Sequence, residues 1–362
     1  MNNKKYAVAL SLMSSGHWHF YSKSDPETIY NEYVLPEERK VQEYYTSWYS
    51  MSPLEEAEKI IELCNKMNVN MISYWDEDYP ALLKEISYPP AVLYVRGNLP
   101  NKLSLAIVGT RNDDTQSGSI AEKLAGILAQ YDIAIVSGLA IGIDRRAHIG
   151  ALKAGGSTIG VMANGIDMLY PASNRDIYTD IINSGNGCVL SEYPPKVRIT
   201  RWTFVRRNRI ISGLSKGVIV IKAGEKSGAL ITAQYALEHN RELFVCTGHS
   251  FDEGYKGCYK LLKEGAHPVF NEQDILEILS VDKLYRQPTL FEGMEFNKVT
   301  SNTHFAAYED DDIVKTLKQG SMDIDSLIRA VGKNSGEVLE KLTTMELEGV
   351  IIRNGNLISL NK

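Results

Sequence analysis

LSLAIVGTRNDDTQSGSI, residues 103–120, decides the fold. An apolar, β-branched run ends on Gly109, and a polar loop then leads into a stretch of helix length. The figure recurs at DIAIVSG (132–138), STIGVMA (157–163), GCVLSE (187–192), GVIVIKA (217–223) and ELFVCTG (242–248). Runs this apolar are strands buried on both faces, and helices between them are the crossovers that parallel strands need. The expected architecture is α/β, a Rossmann-like, doubly wound, mostly parallel sheet over residues 96–280.

On the N-terminal side, residues 1–95 carry helical patterning and many aromatics and read as a helical domain. SPLEEAEKIIELCNKMN begins with Ser52 as N-cap, Pro53 in the first helical position and Glu55 placed to close a capping box. YPPAVLYVRGNLP (88–100) reads as a short strand and an interdomain connection. On the C-terminal side, residues 281–307 lack a period and read as a linker. Residues 308–362 show three short helical patterns and then IIRNGNLISL, with Asn354-Gly355 as a hairpin signal. Three helices and a hairpin suggest a winged helix.

Composition narrows the class. The four cysteines are scattered and form no C-x-x-C pair, which argues against a disulfide framework or a zinc site and for a reducing compartment. Lys4-Lys5 followed by YAVALSLM mimics a signal peptide, but no small-x-small cleavage site follows, and a first core helix is expected. No stretch approaches the roughly 20 apolar residues of a membrane span. A cytoplasmic protein with no cofactor and no metal is expected.

Three strand-end turns carry candidate chemistry. In AIVGTR, Gly109 lets the backbone approach a ligand, Thr110 and Arg111 stand at the mouth, and the next helix offers amides to an anion. In IVSGLAIGIDRRAH, Ser137, Gly138 and Gly142 play that part. Asp144 and His148 share a helix face there; with neither nucleophile nor metal-ligand set beside them, structural roles are expected rather than an acid/base pair. In KSGALIT, Lys226, Ser227, Gly228 and Thr232 read equally as phosphate ligands or as cap, close packing and back-bonded threonine. Turns at the carboxyl ends of one parallel sheet lie along one edge, where ligands bind.

The chain is acidic, with a net charge of −6, yet no acidic side chain occurs between Glu192 and Glu225. That interval holds Lys196, Arg198, Arg201, Arg206, Arg207, Arg209, Lys216 and Lys222, with Phe204 and Asn208 among them. Solvated faces mix signs, whereas a single-sign cluster around an aromatic suits a polyanion with stacked bases.

Together these stretches resemble the DNA-processing protein A family (DprA, or Smf). The resemblance runs from about Trp75 to Leu360 and is carried by DEDYPALLKEISYPPAVLYVRG, AIVGTR, SGLAIGIDRRAH, YPASNRDIY, LSEYPP, FVRRNRIISGLS, SGALITAQYALEHNRE and LLKEGA. It implies an extended Rossmann-like core and a non-enzymatic protein. It further implies binding of single-stranded DNA as a homodimer and loading of the RecA recombinase to protect incoming DNA in natural transformation. It implies nucleic-acid contacts at Arg111, at Ser137 and Gly138, at Arg207, Asn208 and Arg209 with Phe204 before them, and at Lys226, Ser227, Gly228 and Thr232. Gly109, Thr110, Asn174, Arg206 and Lys222 complete the candidate set. Departures from the family pattern include Ser117 for a tyrosine, Val205 for a proline, Lys222 for a glutamate, and Thr247 and His249 in place of a P-G-N turn.

The alternative on a related fold is a nucleotide sensor or nucleotide N-glycosidase, for which Glu192 is the attractive acid; no P-G-G-x-G-T turn is present. From Glu309 onward, seven basic side chains face ten acidic ones, and the would-be recognition helix carries Glu337, Glu340, Glu346 and Glu348 against Lys341. That helix is ill suited to duplex phosphates and better suited to a protein partner.

Overall fold

A computed structural model describes residues 2–13, 22–35, 38–42, 45, 49, 52–249, 251–281, 308, 311–318, 320–347, 350–354 and 357–360. The chain divides into two units, Met1–Arg286 and Gln287–Lys362.

The first unit is built on a nine-stranded sheet. Its strands are β1 (Asn70–Ser73), β2 (Val92–Gly97), β3 (Ser104–Val108), β4 (Ala134–Ser137), β5 (Thr158–Val161), β6 (Cys188–Ser191), β7 (Gly217–Val220), β8 (Glu242–Cys246) and β9 (His267–Val269). All six strands expected from the apolar runs are present, and β3 to β7 are buried throughout. The order is β1-β2-β6-β5-β4-β3-β7-β8-β9, parallel from β6 to β9. The chain winds from β3 out to β6 and then returns to lay β7 on the other side of β3. The β3/β7 gap is therefore the topological switch point, where such sheets open a crevice.

The expected boundary between residues 95 and 96 falls inside β2, which pairs antiparallel with β6 (Tyr94 opposite Ser191) and with β1. The AVLYV run thus covers a sheet edge that would otherwise expose unpaired backbone groups. The N-terminal helix α1 (Asn2–Ser11) buries Ala7, Val8 and Leu10 in the same cluster as Val92, Tyr94 and Val189. Helix α2 (Pro53–Lys66) starts on the Ser52/Glu55 capping box.

Four further helices shape the switch-point edge: α3 (Thr115–Gln130), α4 (Ile143–Lys153), α5 (Arg201–Gly213) and α6 (Ala229–Glu238). Helix α5 opens on a reciprocal cap between Thr200 and Thr203.

The second unit holds α7 (Asp312–Leu317), α8 (Ile324–Val331) and α9 (Ser335–Leu347) with a three-stranded sheet. In that sheet Ile351–Asn354 and Met322–Asp323 flank Leu357–Leu360. Asn354 pairs with Leu357, leaving a two-residue connection; Gly355 of the expected turn lies outside the described residues. Residues 282–307 of the expected linker do so too.

Candidate nucleic-acid interface

A cleft of about 940 Å³ opens at the switch point. The turn after β3 supplies Gly109, Thr110 and Arg111, one face of α5 supplies Phe204, Arg207 and Asn208, and the turn into α6 supplies Lys226, Ser227, Gly228 and Thr232. Ten of the sixteen candidate residues thus line one cavity.

Arg111 lies over the Phe204 ring at 4.8 Å. Phe204 meets Tyr170 edge to face, with centroids 5.9 Å apart. Tyr170 was not among the sequence candidates, although it opens the YPASNRDIY motif. Arg201, also missed, lines the cleft three residues before Phe204, where helical spacing puts it on the same face. Arg111, Arg201 and Lys226 are exposed and have no carboxylate partner among the described residues.

The third turn is exposed at Lys226 and Gly228. Gly228 is the N-cap of α6, the Ala229 amide donates to Ser227 Oγ at 3.3 Å, and a Cβ built on Gly228 meets nothing within 4 Å. Asn208 Nδ2 reaches the Gly228 carbonyl at 3.5 Å, joining α5 to this turn.

The first turn departs from expectation. The N-terminus of α3 is capped by Asp114, which accepts from the Ser117 amide at 2.7 Å and sets a carboxylate where an anion would bind. Lys222, expected to add positive charge for DNA, instead binds Asp114 and Asp252 at 2.7 Å each. Burial works against its ammonium, but the two carboxylates outweigh it and hold the pKa above the ordinary range. The same contact with Lys222 draws Asp114 down to about 2.

The second turn is also filled from within. Gly138 N donates to Asp144 Oδ2 at 3.1 Å, and Ser137 Oγ donates to the Ile107 carbonyl at 2.7 Å. Asn174 is buried and donates to the carbonyls of Leu139 and Ala140. Ser137, Gly138 and Asn174 therefore build the floor behind the cleft and do not line it.

Arg207 is 4% exposed and donates to the carbonyls of Gly138 and Val161, and its Nε to Asn208 Oδ1 at 3.1 Å. Burial lowers its pKa to about 10, against the attraction of Asp144. Burial raises that of Asp144, against the attraction of Arg207. His148 Nδ1 faces Thr158 Oγ1 at 2.7 Å; burial, with Arg207 nearby, brings it down to about 3. Asp144 and His148 thus have separate structural partners.

Arg206 and Arg209 turn to the other side of α5. Both engage Glu192, Arg206 Nε at 3.3 Å and Arg209 by a close hydrogen bond. Glu192, the acid singled out for a glycosidase reading, lines a different cavity from the switch-point cleft. Among the described residues, no group of three or more His, Cys, Asp or Glu side chains could hold a metal ion. No described helix is long and apolar enough to cross a membrane.

The family model for DNA recombination-mediator protein A matches residues 70–280. DNA processing protein DprA of Bacillus subtilis (strain 168) is 40% identical over 224 residues, 61% of this chain and 75% of that one. Protein Smf of Escherichia coli (strain K12) is 33% identical over 286 residues, 78% of this chain and 75% of that one. The X-ray structure of DprA from Streptococcus pneumoniae superposes with a TM-score of 0.61 at 32% identity, covering 76% of this chain and 97% of that one. A structure concerned with the single-stranded DNA binding mode of DNA processing protein A from Helicobacter pylori gives 0.52 at 31% identity, covering 59% and 96%.

Proposed function

As the chain belongs to the DNA recombination-mediator protein A family, we propose that its switch-point cleft binds single-stranded DNA and that the protein presents the bound strand to a RecA-type recombinase. One observation carries the reading. The exposed cations Arg111, Arg201 and Lys226, the Phe204–Tyr170 aromatic pair and the exposed Gly228 turn belong to one accessible region. Guanidinium and ammonium groups take phosphates, the aromatic pair takes a base face, and no part of that requires a particular sequence. The H. pylori relative's DNA-binding structure supports the same reading.

The role is one of binding and hand-over, without catalysis, in the cytoplasm and as a homodimer through the first unit. We read residues 308–362 as a winged helix whose acidic character suits a protein partner.

The test is equilibrium binding of labelled oligo-dT, a duplex of equal length and a mononucleotide over a range of salt. Three phosphate contacts give a log–log slope of about −2 for the single strand, with weaker binding of duplex and mononucleotide. Tight mononucleotide binding with release of the base would overturn the reading.

A further inference from the structure

Helix α5 separates two cavities of the first unit. Phe204, Arg207 and Asn208 face the switch-point cleft; Trp202, Arg206 and Arg209 face a second cavity of about 500 Å³. Val205 lines both and is 38% exposed, so it is the ridge between them.

The second cavity has the makings of a base site. The Arg206 guanidinium lies over the Trp202 indole at 5.0 Å, and Trp202 is 48% exposed. A guanidinium beside an indole offers a nucleobase its preferred neighbours. The cavity's charges balance, Arg206 and Arg209 against Glu192 and Glu238, which suits a neutral heteroaromatic ring better than a phosphate. Glu192 and Arg209 are both more than nine-tenths buried, yet among the described residues Glu192 Oε1 and Arg209 Nη1 have no hydrogen-bond partner. Arg201, which lines the first cleft, precedes Trp202 in the chain and can hold the intervening phosphate.

We propose that this cavity is a second nucleobase site for the same single strand, which leaves Arg111 and Phe204, crosses Val205 and sets a base against the Trp202–Arg206 pair. The proposal rests on the single-strand reading above and extends its footprint across α5.

The test uses the full chain, oligo-dT of increasing length, and oligonucleotides of fixed length with one abasic position moved along them. Wild type is expected to gain affinity in two steps with length and to show two sensitive abasic positions. Trp202→Ala should lose the second step, about fivefold or more on long strands, and one sensitive position, with short strands bound as before. Trp202→Phe, which keeps a ring, should restore both. Lys226→Ala should weaken long and short strands alike. If Trp202→Ala binds every length as wild type does, as it would if the cavity held a peptide, the second site is refuted while the cleft reading stands. Equal losses in Trp202→Ala and Trp202→Phe refute stacking. Failure of wild type to bind even long strands refutes the cleft reading itself.

Discussion

Gly138 and Arg207 compete for one volume: a Cβ on Gly138 would stand 2.6 Å from Arg207 Nη1, and the same nitrogen donates to the Gly138 carbonyl. The glycine is required by close approach, and the arginine is as much a part of the interior as of the cleft.

Arg207→Glu is therefore expected to cost stability, not simply DNA affinity. It would bury a carboxylate near Asp144 and strip the Gly138 and Val161 carbonyls of their donor. Breaking such a buried arrangement costs about 3–5 kcal/mol, and Gly138→Ala about 1–3 kcal/mol through overpacking. Urea denaturation followed by circular dichroism checks both; wild-type midpoints would show that Arg207 is not a structural arginine.

Gly228→Leu separates binding from folding. The residue has φ −62° and ψ −20°, which any L-residue adopts, and nothing stands in the way of a side chain. Its thermal midpoint should match wild type, while a leucine at this exposed turn should reduce oligo-dT affinity about tenfold or more by blocking a phosphate's approach to Lys226 and Ser227. Unchanged affinity would place the strand elsewhere.

His148 gives the molecule an acid-sensitive interior. Its folded-state pKa is lowered to about 3, so below its ordinary value of about 6.5 the unfolded chain takes up the proton first. Stability is fully present above about pH 6.5 and falls progressively as the pH drops toward about 3. His148→Asn, which can keep a hydrogen bond to Thr158, should flatten stability against pH over that interval. Parallel profiles for wild type and variant would exclude His148 as the source.

Much of the architecture was legible because the signals are local. Runs such as the two AIV segments end on glycine or a small polar residue, Gly109 and Ser137, and can be read one at a time. Strand β9 escaped because it is three residues long and contains Pro268. Strand β2 was legible as a strand but not as a member of the sheet, since its partner Cys188–Ser191 lies far along the chain. The site shows the same division. Helical spacing separated Arg206 and Arg209 from Arg207, but nothing nearby in sequence announces that Glu192 claims the first two. Nor does it announce that Asp114, over a hundred residues away, neutralises Lys222. Charge counted along a chain overstates the charge a ligand meets, because ion pairs form in three dimensions.

Two of the three loop mouths along the sheet's carboxyl edge are plugged by the protein's own carboxylates, Asp114 and Asp144. A lone phosphate finds the exposed turn at Lys226 and little else to hold it, whereas a polymer can spread its charges over scattered side chains. The metabolite pool of triphosphates should therefore compete poorly with DNA for this protein, and selection for length is achieved by occupying in advance the seats a small molecule would need.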